Sequence, residues 1–358
     1  MTNKKENHQI NNQLYNCLIM HCLGDTLGYK NKYWEFYGGN DYEAILNKIS
    51  EFISLGGINK INLKNWYVSD DTLMHLSIIT ALKSKWKNMD ELLNITKNNF
   101  IKLLEVFKED IQPNRAPGLT TIKYLNLLVK KDWKDFQFDF KAGGNGCAMR
   151  TLCIGIYFYN DLDKLIEYSV NTSKMTHPNP IGWLGGLMSA YFCYCIMNNY
   201  KIEEWIFKFL DLLDSKDIIN KYCKTFEEKN AYNEAIKLIY TYINNKFDKN
   251  HNLIEDRSNN ILNARILKYN NMFIGGHYHG QSGISCDLIA YDALIDCQNN
   301  FERLIFYSIM NNFDADTIGC VAFGLYGLLY GLKEVPENMF ENLEFKKEIK
   351  EISFKKSN

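Results

Sequence analysis

Apolar residues recur along this chain mainly at helical spacing. Leu14, Cys17, Leu18, His21 and Cys22 form one stripe. Met74, Ile78, Ala81 and Leu82 form another at i, i+4, i+7 and i+8, so each segment reads as a helix with one buried face. The same period predicts further helices near 91–107, 146–158, 161–174, 182–198, 201–213, 227–245, 286–296, 300–311 and 317–331. Strand alternation is almost absent, so the expected fold class is all-α. Only five prolines occur, and Pro178 and Pro180 interrupt the chain between two helices, where proline fits a loop. The Asn- and Lys-rich stretch from Tyr242 to Asn260 reads as an exposed insertion. No internal repeat or linker divides the sequence, and 358 residues at 46% hydrophobic content can bury a large core. Residues 1–358 are therefore expected to form one domain.

Charge excludes more than it suggests. With 41 Lys plus Arg against 42 Asp plus Glu, there is no basic excess to neutralise a nucleic-acid backbone, so no direct nucleic-acid partner is expected. Met1 to Gln13 is polar and lacks a signal-peptide apolar stretch, which predicts a cytoplasmic protein. No apolar run of the ~18 residues a membrane span needs stands out, so no membrane association is expected. Ten scattered cysteines without a Cys-x-x-Cys pair read as reduced core residues.

Two acidic clusters carry the first chemical signal. Ser69-Asp70-Asp71-Thr72 and Asp314-Ala315-Asp316-Thr317 each stand just before a long apolar run. Adjacent aspartates repel unless water or a cation takes up their charge, and Mg²⁺ favours carboxylate and hydroxyl oxygens. A two-metal site is one reading. Helix capping is the other, and for either cluster alone it is the plainer one, because Ser, Asp and Thr at a helix start accept from free backbone N–H groups.

Loops at helix starts add weaker signals. Gly143-Gly144-Asn145-Gly146 precedes an apolar segment, as in an anion cradle or a plain flexible turn. Gly275-Gly276-His277-Tyr278-His279-Gly280-Gln281-Ser282-Gly283 is long and aromatic-bearing, as a loop stacking on a base would be. His277 and His279 alternate like zinc ligands but have no third soft ligand nearby, so an exposed polar loop is the simpler reading. His177, in Thr176-His177-Pro178, reads on its own as a structural hydrogen-bonder.

Taken in order, Gly24-Asp25-Thr26-Leu27-Gly28-Tyr29, Trp34-Glu35-Phe36, the two acidic clusters, Gly143 to Arg150, Thr176-His177-Pro178 and Ala290-Tyr291-Asp292-Ala293 resemble the ADP-ribosylglycohydrolases over nearly the whole chain. Within that family they look most like the ADP-ribosylarginine hydrolase branch. The resemblance implies an all-α fold with two Mg²⁺ ions, or Mn²⁺ in their place, at the floor of a cleft holding ADP-ribose. Ser69, Asp70, Asp71, Asp314, Asp316 and Thr317 would be metal ligands. Glu35, Asp70 and Asp71 would be catalytic carboxylates, with Glu35 on a loop closing over the ribose. Trp34, Gly143, Gly144, Asn145, Gly146, His177, Gly280, Ser282 and Gly283 would contact substrate. ADP-ribose and ADP-ribosylated proteins would be the partners of a monomer that removes ADP-ribose from a side chain, arginine first. Serine-linked, poly(ADP-ribose) and O-acetyl-ADP-ribose bonds are the rival substrates. A non-catalytic ADP-ribose-binding scaffold is the rival function, although all four metal-site aspartates are present.

Some positions depart from the branch. Asn312-Phe313 replaces two glycines, which suggests less backbone freedom and altered metal geometry. Ile284-Ser285-Cys286-Asp287 replaces His-Asp-Ala-Pro in what is expected to be a loop on the adenosine side. Thr317 in place of serine resembles the branch that acts on serine-linked ADP-ribose, although both residues supply a hydroxyl.

Overall fold

The computed structural model describes residues 2–36, 42–108, 111–255, 262–273 and 280–355. They are predominantly α-helical, and the β pairing among them is confined to two isolated bridges, Gly144 with Ser282 and Phe247 with Leu253. The all-α expectation holds.

Two helices far apart in sequence set the frame. Thr2–Tyr29 and Ala315–Tyr330 pack antiparallel at backbone contact: a Cβ on Gly24 would lie 2.4 Å from the carbonyl oxygen of Gly319, and one on Gly28 would lie 2.4 Å from that of Ala315. Only residues without a side chain permit that approach. The crossing brings the C-terminal end of the first helix against the N-terminal end of the second, so Asp25 and Tyr29 come to lie beside Asp314, Asp316 and Thr317.

Pro180–Met197 fills the interior. Asn179 starts it by accepting from the Ile181 N–H at 3.0 Å, with proline in the first turn, where its missing N–H costs nothing. Its 18 residues carry no charged side chain, contrary to the sequence expectation, and by length and composition it could cross a membrane. Here 89% of it is buried inside the fold, with Trp183, Leu184, Leu187 and Phe192 fully enclosed. A helix apolar on every side is one that neighbours surround.

Three other expectations are corrected. The segment 146–158 is broken into a short 3₁₀ turn, Ala148–Arg150, and the helix Leu152–Tyr157. The buried Arg150 guanidinium turns inward to the Gly146 and Thr172 carbonyls and the Thr176 hydroxyl, tying the turn to its neighbours. The stretch from Tyr242 is not an exposed insertion at its start. The helix Phe226–Lys246 runs through it, with Tyr242, Ile243 and Lys246 buried; Asn244, Asn245, Asp248 to Asn252, Ile254 and Glu255 are exposed, and 256–260 lies outside the described residues. Lys246 is held because Asp292 and Asp296 meet its ammonium at 2.8 and 2.7 Å. Ile284-Ser285-Cys286-Asp287 is not a loop. It is the buried first turn of the helix Gly283–Cys297, started by a reciprocal Ser282–Ser285 cap. All ten cysteines are buried and free, in line with their scattered spacing.

Candidate active site

The first acidic cluster opens the helix Asp70–Leu82, and its cap is made by other groups than the two aspartate side chains. Ser69 Oγ accepts from the Asp71 N–H at 3.1 Å. Asp25, reaching across from the first helix, accepts from the Ser69 and Thr72 N–H groups at 2.9 and 3.0 Å and from the Thr72 hydroxyl at 2.6 Å. With these donors satisfied, the carboxylates of Asp70 and Asp71 are left to line a cavity. The second cluster arrives by the helix crossing. Asp314 makes no cap with its side chain; its Oδ2 accepts from Asn145 Nδ2 at 2.8 Å.

The cavity encloses about 410 Å³. Glu35, Asp70, Asp71, Asp314, Asp316 and Thr317 line one part, and Gly144, Asn145, Gly146, His177 and Gln281 another. Oxygens of Glu35, Asp314 and Asp316 lie within 4.8 Å of one another. Burial, and then repulsion from Asp316 and Asp25, pushes Glu35 up to about 9. Burial pushes Asp314 up to about 7, and Asp70, Asp71 and Asp316 rise well above the carboxylate range for the same reason, augmented by neighbouring acids. Among the described residues, Lys32 partly opposes the shift of Glu35, and two other nearby cations are committed elsewhere. Lys48 donates to the Ile309 and Asn311 carbonyls at 2.8 and 2.9 Å, and Arg150 is spent on its own turn. Crowded hard oxygens without a matching positive charge are what a divalent cation requires, so this donor set fits the metal that the resemblance implies.

The rest of the cavity is neutral. His177 is buried, which lowers it to about 3 and keeps the ring uncharged. Its Nδ1 lies 2.8 Å from the Thr176 hydroxyl, which accepts from Arg150 and can donate its own proton to that nitrogen, so the consistent tautomer carries its proton on Nε2. Nε2 looks onto the glycine turn, 3.4 Å from where a Cβ on Gly144 would sit and 3.2 Å from one on Gly146.

Several expected residues lie elsewhere. Trp34 is not on the cavity: it is fully buried, donates to Glu51 at 2.8 Å and packs among Phe52 and Trp66. Gly283 serves helix packing, since a Cβ there would lie 2.6 Å from the Gly182 carbonyl oxygen. Ser69 and Ser282 are helix caps, and Gly143 accepts from the Gly283 N–H at 3.2 Å behind the cavity wall. Gly280, with φ near 77°, supports the wall by accepting from Asn145 Nδ2. His277 and His279 lie outside the described residues. Asn312-Phe313 needs no glycine-like backbone, because neither residue has positive φ. Phe313 is buried against Tyr269, and its carbonyl accepts from Phe36 N–H at 3.2 Å, which ties the Glu35 segment to the second cluster. Sequence reasoning gave Asp25 no role. Its signal was a charge inside the Gly24 to Tyr29 motif at the end of an apolar helix.

The sequence profile of ADP-ribosylglycohydrolases matches residues 6–355. The chain belongs to the ADP-ribosylglycohydrolase family. A curated relative, ADP-ribosylhydrolase ARH1 of Dictyostelium discoideum, is 30% identical over 95% of this chain and 92% of its own length. ADP-ribosylhydrolase ARH3 of Mus musculus is 22% identical over 92% of this chain and 86% of its own. Among solved structures, one described as an ADP-ribosylglycohydrolase-related protein complex shares the fold at a TM-score of 0.59 and 15% identity, covering 96% of each chain. In this ADP-ribosylglycohydrolase the acids near both ends of the chain depend on one another for their place: the helix that carries Asp25 also seats the helix that follows Asp314.

Proposed function

We propose that this protein is a divalent-cation-dependent hydrolase that releases ADP-ribose from modified protein side chains, with arginine as the acceptor and two Mg²⁺ ions, or Mn²⁺, as cofactors. The observation that carries the reading is one cavity with five acids at its reactive part and a glycine turn facing a neutral histidine at the other. The likeness to a protein named ARH1 over nearly the whole chain supports the same reading.

Asp70, Asp71, Asp314, Asp316 and Thr317 would hold the metal. A divalent cation bound there supplies positive charge that orients ribose hydroxyls and offsets the carboxylates. The chain does the rest. Glu35, Asp70 and Asp71 are the carboxylates placed to take a proton from the attacking water, since cleavage at an anomeric carbon passes through an oxocarbenium-like state that needs an activated nucleophile. The side-chain-free backbone at Gly144, which lines the cavity, would admit a diphosphate, and His177 offers an uncharged N–H donor beside it.

The experiment is release of ADP-ribose from arginine-linked and serine-linked peptides, with Mg²⁺ and with chelator. Release from the arginine-linked peptide that chelator abolishes is expected. Release from the serine-linked peptide alone would move the acceptor assignment. No release from either, together with no rise in melting temperature on adding ADP-ribose and Mg²⁺, would remove the hydrolase reading.

A further inference from the structure

A second cavity, of about 580 Å³, adjoins the first, and the walls that use it are Tyr29, Asn31, Tyr33, Tyr67, Gln112 and Asn114. The two cavities share the turn after the first helix. Lys32 and Tyr33 face the second, whereas Glu35 and Phe36 face the first. The segment 112–121 passes along both. Gln112 to Asn114 line the second cavity, the Arg115 carbonyl accepts from the Asp70 N–H at 2.9 Å, and Ala116 lines the first. Further on, Thr121 Oγ1 lies 3.2 Å from where a Cβ on Gly146 would sit. Along this single segment the order is second cavity, acids, glycine turn. A substrate with its diphosphate at the glycine turn and its scissile carbon at the acids sends its leaving group toward the second cavity.

The chemistry of that cavity selects among leaving groups. Its shape is held by Asn31, which accepts from the Tyr67 N–H and donates to the Asn65 carbonyl, both at 2.9 Å, and by the Tyr29 hydroxyl donating to the Asn114 carbonyl at 2.8 Å. Lys30, Asn31 and Lys32 all take left-handed backbone, with φ of 39°, 56° and 76°, which non-glycine residues adopt only where surrounding bonds enforce it. Tyr33 is thereby held out at 69% exposure. Among the described residues the lining is three phenols, carboxamides and a proline, with Lys32 as its one charge. A lone ammonium is a poor site for a second diphosphate. Aromatic faces beside amide donors and acceptors suit a polypeptide main chain.

We propose that this second cavity is the acceptor-side subsite, which binds the polypeptide flanking the ADP-ribosylated residue; the inference rests on the hydrolase reading above. The subsite adds affinity for modified protein over free modified amino acid.

The test compares a short arginine-ADP-ribosylated peptide with free ADP-ribosylarginine, using the parent, Tyr33→Ala and Gln112→Ala. Both residues line the second cavity and not the first, and the Tyr33 ring is largely solvent-exposed. The parent is expected to show a lower KM for the peptide. Each variant should raise the peptide KM about fivefold or more at unchanged kcat and leave ADP-ribosylarginine kinetics alone, the pattern of lost binding outside the reacting atoms. Equal KM values for the two substrates in the parent, or variants that shift both substrates together or neither, would overturn the subsite. Cleavage of neither substrate by the parent is a different result: it removes the arginine-acceptor reading on which the subsite rests.

Discussion

Replacing Glu35 with glutamine tests whether the acids at the cavity floor are short of positive charge. Glu35 titrates near 4.5 when unfolded and is pushed to about 9 in the fold by burial and by Asp316 and Asp25, with Lys32 opposing. A carboxyl raised on folding stabilises the native state below its unfolded value, and that contribution is lost as pH rises through the interval up to the folded value. Each pH unit above 4.5 costs the parent about 1.4 kcal/mol, or about 3 kcal/mol by pH 7. Glutamine keeps the shape and does not titrate. For a chain of 358 residues the unfolding entropy makes that difference about 4 °C in melting temperature. Thermal unfolding in chelator from pH 5 to pH 8 is the assay. The two proteins should melt together near pH 5, and Glu35→Gln should melt progressively higher toward pH 8. Saturating Mg²⁺ should stabilise the parent more and close the gap. A gap that does not vary with pH, or a parent that is the more stable at pH 8, would refute the charge argument.

Asp70→Asn with Asp71→Asn leaves Ser69 and Asp25 capping the helix, so stability without metal should fall by no more than about 1 kcal/mol or should rise. Mg²⁺ binding by calorimetry should collapse, and two ions bound as in the parent would return these aspartates to a structural role. Gly144→Val places its Cβ at ordinary contact, 3.4 Å from His177 Nε2, and its methyls toward the cavity. The fold should survive while the ADP-ribose-induced rise in melting temperature is lost; an unchanged rise would make the turn purely structural. Lys246→Met leaves Asp292 and Asp296 to share Arg265 in a buried setting. Denaturant unfolding should show a loss of about 3 kcal/mol or more, and a loss under about 1 kcal/mol would mean that the ion cluster tolerates an unpaired charge.

The helices, the acid pairs and the family motifs were legible because each is local: a 3.6-residue period shows which face is buried, and adjacent aspartates announce their own repulsion. What the acids do was not local. Spacing could not separate capping from cavity lining at Asp70 and Asp71, because the groups that cap that helix include Asp25, brought in from 44 residues upstream of Ser69. Asn145 meets Asp314 across 169 residues, and neither position carries a trace of the other. The same limit explains Trp34 and Lys246. An aromatic beside a catalytic motif and a lysine in an Asn-rich stretch both look available from sequence, until Glu51 takes the indole N–H and two aspartates take the ammonium. Sequence alone determined the all-α class, most of the long helices and most of the residues that carry chemistry, Asp25 excepted. Which of those residues share a cavity was decided by tertiary packing, above all by Gly24 and Gly28 letting the first helix and the helix from Ala315 meet at backbone distance. That contact draws acids from both ends of the chain together, and no periodicity encodes it.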